Sequence, residues 1–317
     1  MTVAVGVVGC APSASQPSPP NPATAGHGTF PRTVEHAMGK TTISQAPQRV
    51  VALDATFVDA ALTLDTPIVG YTNYPNSGAA LPSYLGDAAA TYAKGAKSLG
   101  TRDNPSLEEL AAVQPDLIVS AKIRHEQIYD KLGEIAPTVF SQTTGATWKD
   151  NIRLLAKALG KEDLAERKLS AYQQRAKKIG DEIRAKEGKN PTVSVVVFMS
   201  GPTRLYKEDT YPGVVLADTG LGRPRSEQGI GFATEISEER IPDADADHIF
   251  VAADKDTNGG SQKTQQRFQA NPLWNKLTGQ KHEVDDGIWI NAVGLQGANI
   301  ILDNLAATFG VDPAKNG

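Results

Sequence analysis

The segment from Lys161 to about Lys186 constrains this chain more than any other. Its apolar residues Ala165, Leu169, Tyr172, Ala176, Ile179 and Ile183 are spaced by four, three, four, three and four positions, which draws one stripe along a helix. Lys, Arg, Glu and Gln fill the other faces, and Gly188 with Asn190-Pro191 supplies the stop. With a rise of about 1.5 Å per residue, about 25 residues form a rod of roughly 38 Å, the width of a small domain. Alternating strand and helix patterns run up to Gly160 and start again at Thr192. The rod is therefore expected to join two α/β bodies and hold them apart.

A chain of 317 residues has volume for two such bodies. Hydrophobic residues at 40% and charged residues at 21% are the composition of a globular protein. The net charge of -4 argues against nucleic acid as a partner, because phosphate binding needs concentrated Lys and Arg. No apolar run reaches the roughly 20 residues that cross a bilayer. The one cysteine, Cys10, excludes a disulfide framework and a Cys-based metal site. Its context, Val7-Val8-Gly9-Cys10, resembles a bacterial lipobox, and the Pro, Ser, Ala, Asn and Gly from Ala11 to Gly28 read as a tether. Lipid on Cys10 would hold the body at the outer face of a membrane.

In chain order, Phe30 to Ala46 reads as a hairpin, Val50 to Leu53 as a buried strand, Phe57 to Leu64 as a helix and Ile68 to Tyr71 as a strand. Thr72 to Gly100 reads as one long loop. Ser106 with Glu109 makes a capping box for a helix to Val113. Strand Leu117 to Val119, helix Glu126 to Ile135, strand Thr138 to Phe140 and helix Trp148 to Leu159 follow, with Trp148 expected in the core. Beyond the rod, Thr192 to Met199 is the expected central strand, Arg204-Leu205-Tyr206 a short one, Gly213 to Thr219 a helix and Gly220 to Phe232 a Gly- and Arg-rich loop. Strand His248 to Ala252 and helices Gln262 to Phe268, Pro272 to Leu277 and Leu295 to Phe309 complete the chain. The expected fold class is α/β, two Rossmann-like lobes joined by one long α-helix, with units 1–29 (anchor and tether), 30–160, 161–188 and 189–317.

The halves echo each other. Leu107-Glu108-Glu109-Leu110 precedes Asp116-Leu117-Ile118-Val119, as Glu238-Glu239-Arg240-Ile241 precedes Asp247-His248-Ile249-Phe250, and Glu108 to Asp116 spans the same distance as Glu239 to Asp247. Acidic residues commonly open helices, where they oppose the dipole. A second reading makes them matched docking posts, one per lobe. The Gly-x-Ser-x-Gly elbow, His-Glu-x-x-His, Walker loop and Gly-x-Gly-x-x-Gly fingerprint are all absent from the sequence. His27, His36, His125, His248 and His282 are scattered, without helical i, i+4 spacing, and no metal site is assigned to them.

Several stretches together resemble the iron-siderophore substrate-binding lipoproteins of bacterial ATP-driven (ABC) importers, whose lobes are joined by a rigid helix, the class III substrate-binding fold. They are Phe30 to Ile43 with Gln48-Arg49-Val50-Val51-Ala52-Leu53; Ser106-Leu107-Glu108 with Gln114-Pro115-Asp116-Leu117-Ile118; Arg124-His125-Glu126 with Tyr129-Asp130 and Ile135-Ala136-Pro137-Thr138; and Asn151-Ile152-Arg153-Leu154-Leu155-Ala156. Later come Arg204-Leu205-Tyr206, Tyr211-Pro212-Gly213, Ser237-Glu238-Glu239 and Trp289 before the final helix. The resemblance implies delivery and not catalysis: no catalytic residues, no cofactor beyond the Fe(III) carried inside the siderophore, and a monomer outside the cytoplasm, lipid-anchored to the cell membrane. It also implies a ferric chelate in the interlobe cleft and carboxylates, matching Glu108 and Glu239, that dock to permease arginines. A stiff rod keeps opening and closing small.

Cleft positions fall in loops after strand carboxyl ends. Arg124 and Arg204 are favoured by the resemblance, while Trp289, Tyr74, Tyr206, Arg223 and Arg225 follow from placement in or beside such loops. Guanidinium forks suit chelate oxygens and aromatic faces suit the chelate backbone. Few arginines beside Tyr and Trp suit a hydroxamate chelate of ferrioxamine or ferrichrome type better than a trianionic catecholate. Haem or cobalamin in the same cleft is the alternative ligand. A two-lobed glycosyltransferase-like enzyme is the alternative class, although it lacks a nucleotide cradle.

Overall fold

The structure is a computed structural model that describes residues 1–2, 28–75, 78–256 and 258–315. Cys10, and with it the expected anchor, lies outside the described residues. From Gly28, whose N–H meets Gly160 O at 2.9 Å, the chain enters the expected hairpin of β1 (Arg32–His36) and β2 (Gly39–Ile43).

The first lobe runs through β3 (Val50–Ala52), α1 (Ala55–Thr63), β4 (Ile68–Asn73), α2 (Gly86–Tyr92), β5 (Lys97–Thr101), β6 (Asn104–Pro105), α3 (Leu107–Ala112), β7 (Leu117–Ala121), α4 (Lys122–His125), α5 (Tyr129–Gly133), β8 (Thr138–Ser141) and α6 (Trp148–Leu159). Its strands lie in the order β6-β5-β4-β3-β7-β8, parallel except for β6. The expected loop to Gly100 thus holds a helix and a strand. The expected helix from Glu126 is broken into α4, a 3-10 turn over Glu126–Ile128, and α5. Ser106 caps α3 as expected, its hydroxyl accepting from Glu109 N.

After the rod α7 (Glu162–Glu187) come β9 (Val193–Phe198), β10 (Thr203–Tyr206), α8 (Tyr211–Thr219), β11 (Ala233–Ile236), β12 (His248–Ala253), α9 (Gly260–Ala270), β13 (Gln280–Glu283), α10 (Asp286–Trp289) and α11 (Leu295–Phe309). The order is β11-β10-β9-β12-β13, with β9, β12 and β13 parallel. Pro272 to Leu277 narrows to a 3-10 turn at Trp274–Lys276. In each lobe the first parallel strand is central and later strands add to both sides, which creates a switch point between β3 and β7 and another between β9 and β12.

The sequence echo has a structural counterpart. Asp116, before β7, accepts from Gln48 N and Arg49 N at 2.7 and 2.8 Å, just before β3. Asp247, before β12, accepts from Thr192 N at 2.7 Å, just before β9. In both lobes one carboxylate ties the amino ends of the two strands that flank the switch point, and the register agrees: Val50 pairs with Leu117, and Val193 with His248. Lys189 helps hold the Asp247 carboxyl down at about 2.

Side-chain alternation sorts the strands into cores. Val51 and Leu53 face one outer core and Val196 and Phe198 the other, while Val50, Ala52, Val193, Val195 and Val197 face a single shared core. That shared core departs from two bodies held apart. All six stripe residues of α7 are buried in it, and α6 of the first lobe and α8 and α11 of the second pack on α7, with α1 against α6 and, across the lobes, against α11. The reason is that α11 and α8 are apolar over most of their circumference and need more cover than one sheet offers. Trp148 is buried there as expected, edge-on to Tyr172 at 5.2 Å and Tyr211 at 6.2 Å. Lys149 of α6 and Tyr172 of α7 both bond Asp218 of α8. On the helix side, then, the lobes are fused.

Candidate functional site

On the side where the parallel strands end, the lobes part. A cavity of about 380 Å³ opens between the segment after β4, with Tyr74 and Tyr84, and the segments after β12 and β13, with Lys255, Asp285 and Asn291. A second cavity of about 400 Å³ lies along the first lobe's edge, between the β5–β6 turn and α4, and takes in Lys122, Arg124 and His125.

Arg124 stands at the switch point between β3 and β7. Its Nε donates to Asp54 Oδ2 at 3.0 Å and its Nη2 to Thr144 Oγ1 at 3.2 Å, with the side chain 27% exposed. A guanidinium carries five N–H groups, and both hydrogens of Nη1 lack a partner among the described residues. Beside it His125 is buried, its ring nitrogens meeting Ser120 Oγ at 2.6 Å and Arg102 O at 2.7 Å, and burial lowers its pKa. In the second lobe, Arg204 lies within β10 opposite Val197, near the end of β9, in a loose pair with Glu235 at 3.4 Å. Lys255, which sequence reasoning missed, pairs with Asp285 and Asp286, and these carboxylates raise its pKa. Asp54 was missed too, although an acid between a buried strand and a helix is the signal of an N-cap. Its Oδ1 accepts from Thr56 N.

The other expected contacts divide. Tyr74 lines the interlobe cavity with its ring edge-on to Tyr84, but it is 3% exposed, its hydroxyl donates to Ala55 O at 3.3 Å, and burial raises its pKa well above the usual phenol value. Tyr206 is buried against Phe232 at 5.0 Å, and burial pushes its hydroxyl up to about 12. Arg223 is no free cleft cation. It is buried, bonds Tyr206 O and pairs with fully buried Glu227, which also accepts from Ser194 and Val195 N. Burial lifts Glu227 to about 7 against the pull of Arg223. Arg225 lies at the wrong edge of the sheet, beside Arg240, Asp243 and Asp245 ahead of β12. Trp289 is also corrected: it is fully buried, stacked on Phe250 at 4.7 Å, with Nε1 donating to Asn304 Oδ1 at 3.0 Å. The short α10 folds it inward.

Glu108 and Glu239 are exposed, one in the first turn of α3 and the other in a 3-10 turn over Glu238–Ala244, and neither side chain has a partner among the described residues. His248 and His282 meet at 3.0 Å between ring nitrogens, away from the crevice on β12 and β13. Among the described residues no group of three or more His, Cys, Asp or Glu could hold a metal ion. No described helix is long and apolar enough to cross a membrane.

Residues 50–283 match the sequence profile described as periplasmic binding protein. The chain is 36% identical over 300 residues, 88% of its length and 87% of the relative's, to a protein of Bacillus subtilis named probable siderophore-binding lipoprotein YfiY. It is 29% identical to the Fe(3+)-citrate-binding protein YfmC of the same organism, over 84% of this chain and 82% of that one. Its fold matches the crystal structure of Staphylococcus aureus SirA complexed with staphyloferrin B with a TM-score of 0.80 and 30% identity, over 89% of this chain and 99% of SirA.

Proposed function

Because the chain belongs to the periplasmic binding protein family, we propose that it captures a ferric siderophore in the crevice between its sheets and delivers it to the permease of an ABC importer. It is an extracytoplasmic binding protein and not an enzyme. The carrying observation is Arg124: a cation at the switch point, fixed on one side and with Nη1 unpaired on the other, at the strand edge where α/β sheets take their ligands. Arg204 and Lys255 would meet the chelate from the second lobe. Glu108 and Glu239 would meet the permease, and Cys10 would carry the lipid, in keeping with a relative named a lipoprotein. The chain would work as a monomer.

The hydroxamate type expected from sequence rested on Trp and Tyr beside few arginines. With Trp289 in the core that support thins, and the open Nη1 of the Arg124 cation favours a chelate that offers carboxylate oxygens, the chemistry in the name of the citrate-binding relative. The exposed apolar side chains of Ile123 and Phe232 keep a hydroxamate chelate as the second reading. Calorimetric titration with ferric citrate, ferrioxamine B and haem tests all of this. Tightest binding of ferric citrate is expected. Tighter ferrioxamine binding reverses the choice of class, and retention of haem alone, or of none, overturns the function.

A further inference from the structure

Arg124 is held in an unusual way. Asp54 sits at the end of β3, the central strand of its sheet, with 3% of its side chain exposed. Its two oxygens do different work. Oδ1 accepts from Thr56 N at 3.0 Å and caps α1, a helix in which every residue from Thr56 to Thr63 is buried. Oδ2 accepts from Arg124 Nε at 3.0 Å. The cap fixes the plane of the carboxylate, so the second oxygen is aimed by the rigid start of α1. Thr144, just beyond β8, accepts from Nη2 at 3.2 Å. The guanidinium is therefore gripped on its Nε and Nη2 edge, while Nη1 has no partner among the described residues and the residue lines the cavity beside α4.

We propose that Asp54 is a positioning residue for ligand capture, which orders the Arg124 guanidinium before the chelate arrives; the ligand half of this statement rests on the function proposed above. An unrestrained arginine loses rotamer freedom on binding, and one already fixed in the bound geometry loses less. A simple charge role makes the opposite prediction. Asp54 offsets the charge of Arg124, so if charge alone mattered, its removal would tighten the binding of an anionic chelate.

Asp54→Asn separates the two. Asparagine keeps an oxygen for the Thr56 N–H, a good helix cap, but turns an amide donor toward Arg124 Nε. Two readouts are needed. The first needs no ligand: the Arg124 Nε–H resonance, assigned by its loss in Arg124→Lys, is expected to be ordered and slow to exchange in the wild-type protein and averaged and fast in Asp54→Asn, both read at a temperature where the variant is folded. A mobile Nε–H in the wild type, or an ordered one in Asp54→Asn, overturns the proposal. The second is affinity for ferric citrate, expected to fall by about tenfold in Asp54→Asn. Unchanged or tighter binding in Asp54→Asn, where Arg124→Ala binds more weakly than wild type, overturns positioning for capture. If Arg124→Ala itself leaves affinity unaltered while the resonance behaves as expected, the ordering of Arg124 by Asp54 stands and the ligand role given to Arg124 fails.

Discussion

The carboxylate of Asp59, fully buried in α1, accepts the backbone N–H of Gln296 at 3.2 and 3.3 Å and so closes the amino end of α11 from the other lobe. Leu295 and Gly297 N–H groups help it, Thr63 donates at 3.1 Å, and Tyr211 bonds Gly294 O at 2.8 Å alongside. A Cβ on Gly294 would fall 2.2 Å from Asp59 Cγ, so glycine is what lets the two helices close. A helix amino end is an anion site, and here the anion belongs to the chain itself.

This contact has a pH signature. Burial outweighs the N–H groups and lifts Asp59 to about 6. Between the unfolded carboxyl value and about 6 the folded state holds a proton that the unfolded state has lost, so this group's contribution to stability falls as pH rises through that window and levels off above it. Relative to Asp59→Asn, the wild-type protein is expected to gain up to about 1.4 kcal/mol per pH unit on acidification from pH 6.5 to 4.5. Urea unfolding of both proteins across that range measures it, and a relative gain on going alkaline would refute it.

Gly180 interrupts the rod without breaking it. In an open helix Gly→Ala stabilises by about 1 kcal/mol. Here the added Cβ would fall 1.8 Å from Thr219 O at the end of α8, so Gly180→Ala is expected to destabilise by about 1–3 kcal/mol. A raised melting temperature would mean that α7 and α8 do not approach this closely.

Trp289→Phe removes the indole bond to Asn304 and part of a buried ring. A loss of about 2–4 kcal/mol in stability is expected, with chelate affinity unchanged at a temperature where the variant is folded. Weakened binding by a folded variant would return Trp289 to the ligand site.

Glu108→Ala with Glu239→Ala is expected to leave affinity for the chelate intact and to abolish iron uptake in cells that depend on this protein. Undiminished transport would remove both carboxylates from docking.

The rod was legible because its spacing of three and four has no other reading, and β3, β7, β9 and β12 because central parallel strands are continuous apolar runs. The strands that went unread lie toward the margins of their sheets. Lys97–Thr101 pairs outward only with two-residue β6, while Ala233–Ile236 and Gln280–Glu283 are edge strands, and a strand half open to water need not carry such a run. Depth was harder to read than order. Nothing in the neighbours of Trp289 says that α10 turns it onto Phe250, and the Gly-rich setting of Arg223 hid the buried Glu227 four residues on. Asp54 and Asp59 escaped for the opposite reason: each reads as an ordinary acid of a helix start, and its partner is 70 or 237 residues away.

The shared helix layer bears on how such proteins can be recombined. A chimaera that splices one half of this chain to the complementary half of a cousin would oppose two surfaces shaped in separate lineages, α1 from one parent against α11 from the other. Grafting therefore needs the Asp59 and Gly294 neighbourhoods transplanted together, even though they sit near opposite ends of the polypeptide.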